Sequence, residues 1–164
     1  MRKNNTTIML LFVLITLFYS CNNEKIVLPV PSSAIEGVYY AESYYSKSGE
    51  GMTYPILGKT MILKLTSVSK DSVKVELEAT PNGDYSPGSN RNFERLFIKQ
   101  EIEAQLIAKK MVNCIGYSID LPINQNNTIN YEKLRQICGT GYSIYYYFIT
   151  PNSKVEATVR FIKM

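Results

Sequence analysis

Histidine is absent from this chain, which removes Ser-His-Asp and Cys-His nucleophilic sites and every histidine-ligated metal centre. Tryptophan is absent too, and cysteine occurs only at Cys21, Cys114 and Cys138. A basic stripe of the kind that binds nucleic acid is also missing. The 18 basic side chains fall to 16 once Arg2 and Lys3 leave with an N-terminal signal, against 14 acidic ones, a net of +2. Nucleic acid is therefore not an expected partner, and the adjacent Lys109 and Lys110 read as a turn between strands. Gly139-Thr140-Gly141 is too short for a phosphate loop, which needs a lysine and a hydroxyl residue at fixed offsets. No cofactor and no metal is implied. The longest apolar run, Ile8 to Phe18, broken only by Thr16, is eleven residues, about half of what a membrane-spanning helix requires.

That run has a different meaning in its setting. Met1 to Thr7 carries Arg2 and Lys3 and no acid, so a charged region precedes a short apolar one, the layout of a secretory signal peptide. The residues after it are Leu17-Phe18-Tyr19-Ser20-Cys21-Asn22. A small residue before a cysteine at this place resembles the lipobox of bacterial lipoproteins, with Phe18 and Tyr19 standing where the family usually has leucine and a smaller residue. The resemblance implies cleavage after Ser20 and attachment of lipid, palmitate included, to Cys21; an unmodified secreted protein is the other reading. Asn22 stands where inner-membrane retention usually needs aspartate, which implies delivery to the outer membrane. The tyrosine- and asparagine-rich style resembles lipoproteins of the Bacteroidetes, with periplasmic and surface display both open.

Cleavage leaves 144 of the 164 residues, enough for one domain with a real core and too few for two. Asn22 to Ser33 contains Pro29 and Pro31 and little periodicity, so residues 21–33 read as a tether and residues 34–164 as the domain. In an oxidising envelope Cys114 and Cys138 are candidates for one disulfide; two separate buried thiols are the alternative.

From Gly37 onward the dominant signal is period-two alternation, the mark of half-buried strands. In Ser72 to Thr80, Val73, Val75, Leu77 and Ala79 face one way and Lys74, Glu76 and Glu78 the other. Met61 to Leu65, Ile98 to Ala108 with Ile98, Ile102, Ala104 and Leu106 aligned, and Ile115 to Leu121 follow the same rule. Tyr142 to Thr150 and Lys154 to Lys163 form a terminal hairpin about Pro151-Asn152-Ser153. The turn formers of Pro81 to Asn90 predict a long exposed loop. Tyr131, Leu134 and Cys138 recur at helical spacing, with Asn130 placed to cap the start and Gly139 the end, which predicts one short helix before the last two strands. The expected fold is all-β, about eight antiparallel strands in a single barrel or sandwich.

Gly37-Val38-Tyr39 on the first strand and Arg160 on the last resemble, with tyrosine in place of tryptophan, the Gly-x-Trp and basic residue that lipocalins pack together. The resemblance implies a lipocalin-like barrel and, as one function, carriage of a small apolar ligand in a cavity lined by Tyr39, Leu63 and Val75. A glycoside hydrolase needs only two carboxylates, and Glu76 with Glu78 or Glu101 with Glu103 are the candidate pairs. They lie two apart on a strand, about 7 Å, between the optima of the two mechanisms, and on polar faces where acids keep a sheet soluble. A non-enzyme is the expectation.

Tyrosine is what the chain has in excess: thirteen, bunched at Tyr39, Tyr40, Tyr44 and Tyr45 and again at Tyr142, Tyr145, Tyr146 and Tyr147. Tyr142, Ile144, Tyr146 and Phe148 align as core, and Tyr145 and Tyr147 share the opposite face. Tyr44, Tyr45, Tyr145 and Tyr147 are thus the candidate binding surface, since exposed tyrosines on a strand offer flat apolar area with a polar tip. Strands also favour tyrosine for packing alone. The expected function is a non-catalytic, lipid-anchored envelope module binding a glycan or an envelope protein.

Overall fold

A computed structural model describes residues 29–80, 85–107, 110–125, 128–138, 142–152 and 154–164. A one-turn helix, α1 (Pro31–Ile35), leads into ten strands: β1 (Gly37–Ser46), β2 (Gly51–Thr53), β3 (Ile62–Ser69), β4 (Ser72–Glu78), β5 (Arg91–Phe97), β6 (Lys99–Ile107), β7 (Lys110–Gln125), β8 (Thr128–Gln136), β9 (Ser143–Ile149) and β10 (Glu156–Lys163). All pair antiparallel in one sheet of order β5-β4-β3-β1-β10-β9-β8-β7-β6, with β2 beside β1. The first strand therefore pairs with the last, and the two ends of the order, β5 and β6, are joined through Ile98 alone. Ile98 is buried, and its N–H is held by the Asp71 carbonyl at 2.8 Å. One bent stretch of chain thus serves β4 with its first half and β7 with its second. The sheet nearly closes into a barrel, which leaves little edge for another chain to join.

The alternation expected in β4 is present: Val73, Val75 and Leu77 are buried. They meet Leu63 and Leu65 of β3, Ile119 and Leu121 of β7, Tyr146 and Phe148 of β9, and Val159 and Phe161 of β10 in one core. Helix α1 covers one end of the barrel. Pro31 sits in its first turn, where the missing N–H is no loss. Ser32 is buried there, its N–H donating to the Lys70 carbonyl at 3.2 Å and its hydroxyl oxygen accepting from the Ser67 hydroxyl at 2.9 Å. The folded part thus reaches back into residues 31–33, which sequence assigns to the tether.

Tyr39 fastens this cover. Its ring is wholly buried and its hydroxyl donates to the Ile35 carbonyl at 2.6 Å; burial pushes the phenol up to about 12. Lys163, its register partner on β10, lays Nζ 5.9 Å from the ring and donates to the Glu36 carbonyl at 2.6 Å. It passes over Gly37, where a Cβ would lie 2.5 Å from Lys163 Cε. The basic residue of the last strand that meets the tyrosine of the first is thus Lys163. Arg160 instead pairs with Glu42 at 2.8 Å. Tyr39→Phe is expected to cost about 1–2 kcal/mol, by stranding the Ile35 carbonyl; a urea midpoint equal to that of the parent chain counts against this role.

Two expectations are overturned. The helix expected over Asn130 to Gly139 is strand β8 through Gln136. Its period-two signal is hidden because one inward position is Glu132 rather than an apolar residue; Glu132 and Leu134 are buried while Lys133 and Arg135 are only partly covered. Both backbone edges are then paired, to β7 and β9, and that outweighs the helical spacing of Tyr131, Leu134 and Cys138. The second concerns Ile98 to Ala108. Ile98 is core, but Ile102 and Ala104 are exposed, because residues 110–116 of β7 run past the last β7–β8 pair, Tyr117 with Gln136, and carry β6 with them.

The terminal hairpin forms as read, closed by the Thr150 N–H on the Val155 carbonyl at 2.9 Å. Lys110 opens β7, while Lys109 lies outside the described residues. The loop before β5 is less exposed than its composition suggests: Ser86 is buried, its hydroxyl donating to Thr80 O at 2.7 Å, and Tyr85 meets Tyr44 edge-on, centroids 5.3 Å apart.

Candidate functional site

Sheet register assembles the candidate site. Tyr45 of β1 faces Thr158 of β10, which faces Tyr147 of β9. Cross-strand partners share a face, and strands lie about 4.8 Å apart, so the two tyrosines flank Thr158 in one row on the outer surface. Tyr45 is 54% exposed and Tyr147 half-buried. Between them runs an open groove with room for about 510 Å³, bordered also by Lys47, Ile149 and Glu156. Lys47 and Glu156 pair at 2.9 Å, but both are too exposed for the pair to matter to stability. They are better placed as polar contacts for a guest.

The next row toward α1 reads Arg160, Tyr145, Arg135. Arg160 donates to the Ser143 hydroxyl at 3.1 and 3.2 Å and pairs with Glu42. Arg135 pairs with Glu103 at 2.7 Å. Each guanidinium is thus held in place beside the Tyr145 position. Burial raises the Tyr147 phenol, with the nearby Arg135 charge opposing. The face offers rings, hydroxyls and fixed cations.

Of the four tyrosines expected outside, Tyr45, Tyr145 and Tyr147 are on this face. Tyr44 is not: it is 2% exposed and belongs to the core. The reason is a bulge in β1. Register slips between Ala41 and Ser43, so that the inward face passes from Tyr39 and Ala41 to Tyr44, where strict alternation would have put Tyr45 inside. Tyr142, expected in the core, is exposed just before β9. Cys114 and Cys138 form a disulfide, Cα atoms 5.8 Å apart. Cys21 lies outside the described residues.

Three of the four candidate acids are engaged in ion pairs. Glu76 meets Lys74 at 3.4 Å and Lys64 at 3.7 Å, and Glu103 and Glu101 both face Arg135, at 2.7 and 4.0 Å. Tyr39, Leu63 and Val75 have no accessible surface at all, so none of them lines a space that even water enters.

One polar cluster escaped sequence reading. Inside the barrel, Arg91 of β5 meets Glu132 of β8, with Nη2 2.6 Å from Oε1 and Nε 3.1 Å from Oε2, and the Tyr146 hydroxyl donates to the same carboxylate. Ser89 completes the arginine, through its carbonyl at 2.8 Å and hydroxyl at 2.6 Å. Burial raises the Glu132 carboxyl above its ordinary range, with Arg91 opposing. The pair ties the seam strand β5 to β8 on the far side of the sheet order.

Fold and face together define a small, nearly closed antiparallel β-barrel whose core is packed and whose outer wall carries a tyrosine-edged groove. No protein-family model matches the chain, and neither a curated protein nor a solved structure matches it at a significant level.

Proposed function

We propose that the chain is a non-catalytic lipoprotein of the cell envelope, anchored through Cys21 in the outer membrane, that binds a glycan across the outer face of β1, β10 and β9. The observation that carries the reading is the row Tyr45, Thr158, Tyr147 beside a groove of about 510 Å³. Two rings flanking a hydroxyl suit a sugar, whose faces are apolar and whose rim is polar. The ion-paired acids and the absence of histidine favour a binder over a catalyst.

The test is affinity electrophoresis of the lipid-free chain against soluble polysaccharides and peptidoglycan fragments, with Tyr45→Ala and Tyr147→Ala alongside. Each variant is expected to weaken binding about tenfold, as loss of an aromatic anchor does, with an unchanged urea midpoint. Undiminished retention of both variants sinks the assignment to this face. Failure of all the glycans, with an envelope protein crosslinked at position 45 instead, makes the partner a protein.

A further inference from the structure

Among the described residues, Leu57, Tyr45 and Ile149 are exposed away from the α1 end, but a larger set of exposed apolar side chains lies at that end. Val30, Val68, Phe97, Ile102 and Tyr142 are 41, 49, 61, 79 and 70% exposed, and all five gather at the end covered by α1. Val68 lies between Ser67 and Lys70, which hydrogen-bond Glu36 and Ser32. Phe97 pairs with Ser72 at the β3–β4 turn. Tyr142 shares Lys163 with Tyr39, its ring 5.9 Å from Nζ. Ile102, opposite Ile115, is on the hairpin of β6 and β7 that projects past the end of β8.

The same end receives the N-terminal segment. Gln100, two residues before Ile102, donates to the Pro29 carbonyl at 3.4 Å. Seven residues separate Cys21 from Pro29, and fully extended that connection spans at most about 28 Å. A lipid on Cys21 therefore holds this end within reach of the bilayer. The tyrosine groove, at Ser46, Ile149 and Glu156, is at the opposite end.

We propose that the α1 end of the barrel is a membrane-docking surface, with Ile102, on the hairpin just beyond the end of β8, and Phe97 and Tyr142 at the same end entering the headgroup region of a phospholipid bilayer. The inference rests on the reading of Cys21 as the lipid-bearing residue. Charge at this end is mixed, Lys70, Lys99 and Lys163 standing among Glu36, Asp71 and Asp120, so apolar and aromatic burial rather than attraction to anionic lipid drives the contact. Docking fixes the orientation that one flexible tether leaves free: the groove points away from the membrane.

The chain has no tryptophan, so a single introduced indole reports alone. Ile102→Trp and, at the far end, Tyr45→Trp are made in the full chain, produced with its lipid in a bacterial host fed labelled palmitate, and reconstituted in phosphatidylethanolamine–phosphatidylglycerol vesicles with and without brominated acyl chains. Emission from position 102 is expected to fall about twofold with bromine, as for a side chain in the interfacial zone, and emission from position 45 to stay unchanged. A palmitate-labelled chain whose two positions are quenched alike overturns docking while leaving the anchor standing. A chain without label overturns the anchor and this inference with it. Shielding of position 102 in a lipid-free dimer also overturns docking, by assigning the surface to a second copy.

Discussion

Arg91→Leu is expected to lower stability by about 3–5 kcal/mol, because it leaves the Glu132 carboxylate buried without its counter-charge. The loss is read as a shift in the urea midpoint. Arg91→Leu combined with Glu132→Leu should recover most of it, since two apolar residues of similar volume leave no charge to desolvate. A single variant as stable as the parent would mean that the bidentate contact does not hold the seam. The pH dependence follows from the direction of the Glu132 shift. Its folded pKa lies above the unfolded value, so the folded chain keeps a proton that the unfolded chain has already released. This group's contribution is complete below the unfolded value and is lost as pH rises through the folded one. Glu132→Gln should flatten that fall, and the penalty of Arg91→Leu should be smaller near about pH 5 than near about pH 8.

Breaking the Cys114–Cys138 bond is expected to destabilise the chain by about 3 kcal/mol in the chain-entropy account, given a sequence separation of 24 residues. The bond joins the part of β7 that projects beyond β8 to the residues just after Gln136. Glu103 helps by accepting the Cys138 N–H at 3.3 Å and holding Arg135. Gly116 makes room for it, since a Cβ there would lie 2.5 Å from Glu103 Oε1. Reductant should therefore lower the urea midpoint of the parent chain and leave a Cys114→Ser, Cys138→Ser variant unmoved. Amide exchange should quicken most in β6 and the first half of β7. An unshifted midpoint under reductant would show that the bond constrains nothing the unfolded chain explores.

Wherever inward residues are apolar and outward ones charged, the fold is legible from sequence. Strand β4 is of this kind, with Val73, Val75 and Leu77 inward and Lys74, Glu76 and Glu78 outward, and the β9–β10 hairpin is marked by its alternation and its Pro151-Asn152 turn. Legibility failed where a long-range partner decides the residue. Glu132 makes β8 look irregular until Arg91, far away in sequence, is placed against it. Tyr44 and Tyr45 exchange faces through a bulge that local alternation does not announce. Ile102 reads as core because pattern alone cannot tell that its hairpin leaves the barrel. For the candidate site, three of the four tyrosines expected outside do lie on the face, but the row itself exists only across three strands; Thr158 and Lys47 carry no signal of their own. The buried Arg91, Glu132 and Tyr146 had none either, since each is ordinary in its own strand.

The pairing of β1 with β10 bears on how the chain folds as it is made. During synthesis β1 emerges first, and the strand that covers one of its edges follows more than a hundred residues later. Until β10 arrives, Tyr39 and Tyr44 have no completed core and β1 offers a row of unpaired backbone groups, the kind of edge that joins other chains. A ring closed by its two most distant strands also has high contact order and closes slowly. The yield of folded chain should thus depend on how long the open edge of β1 is kept from other chains, as much as on the stability of the finished barrel.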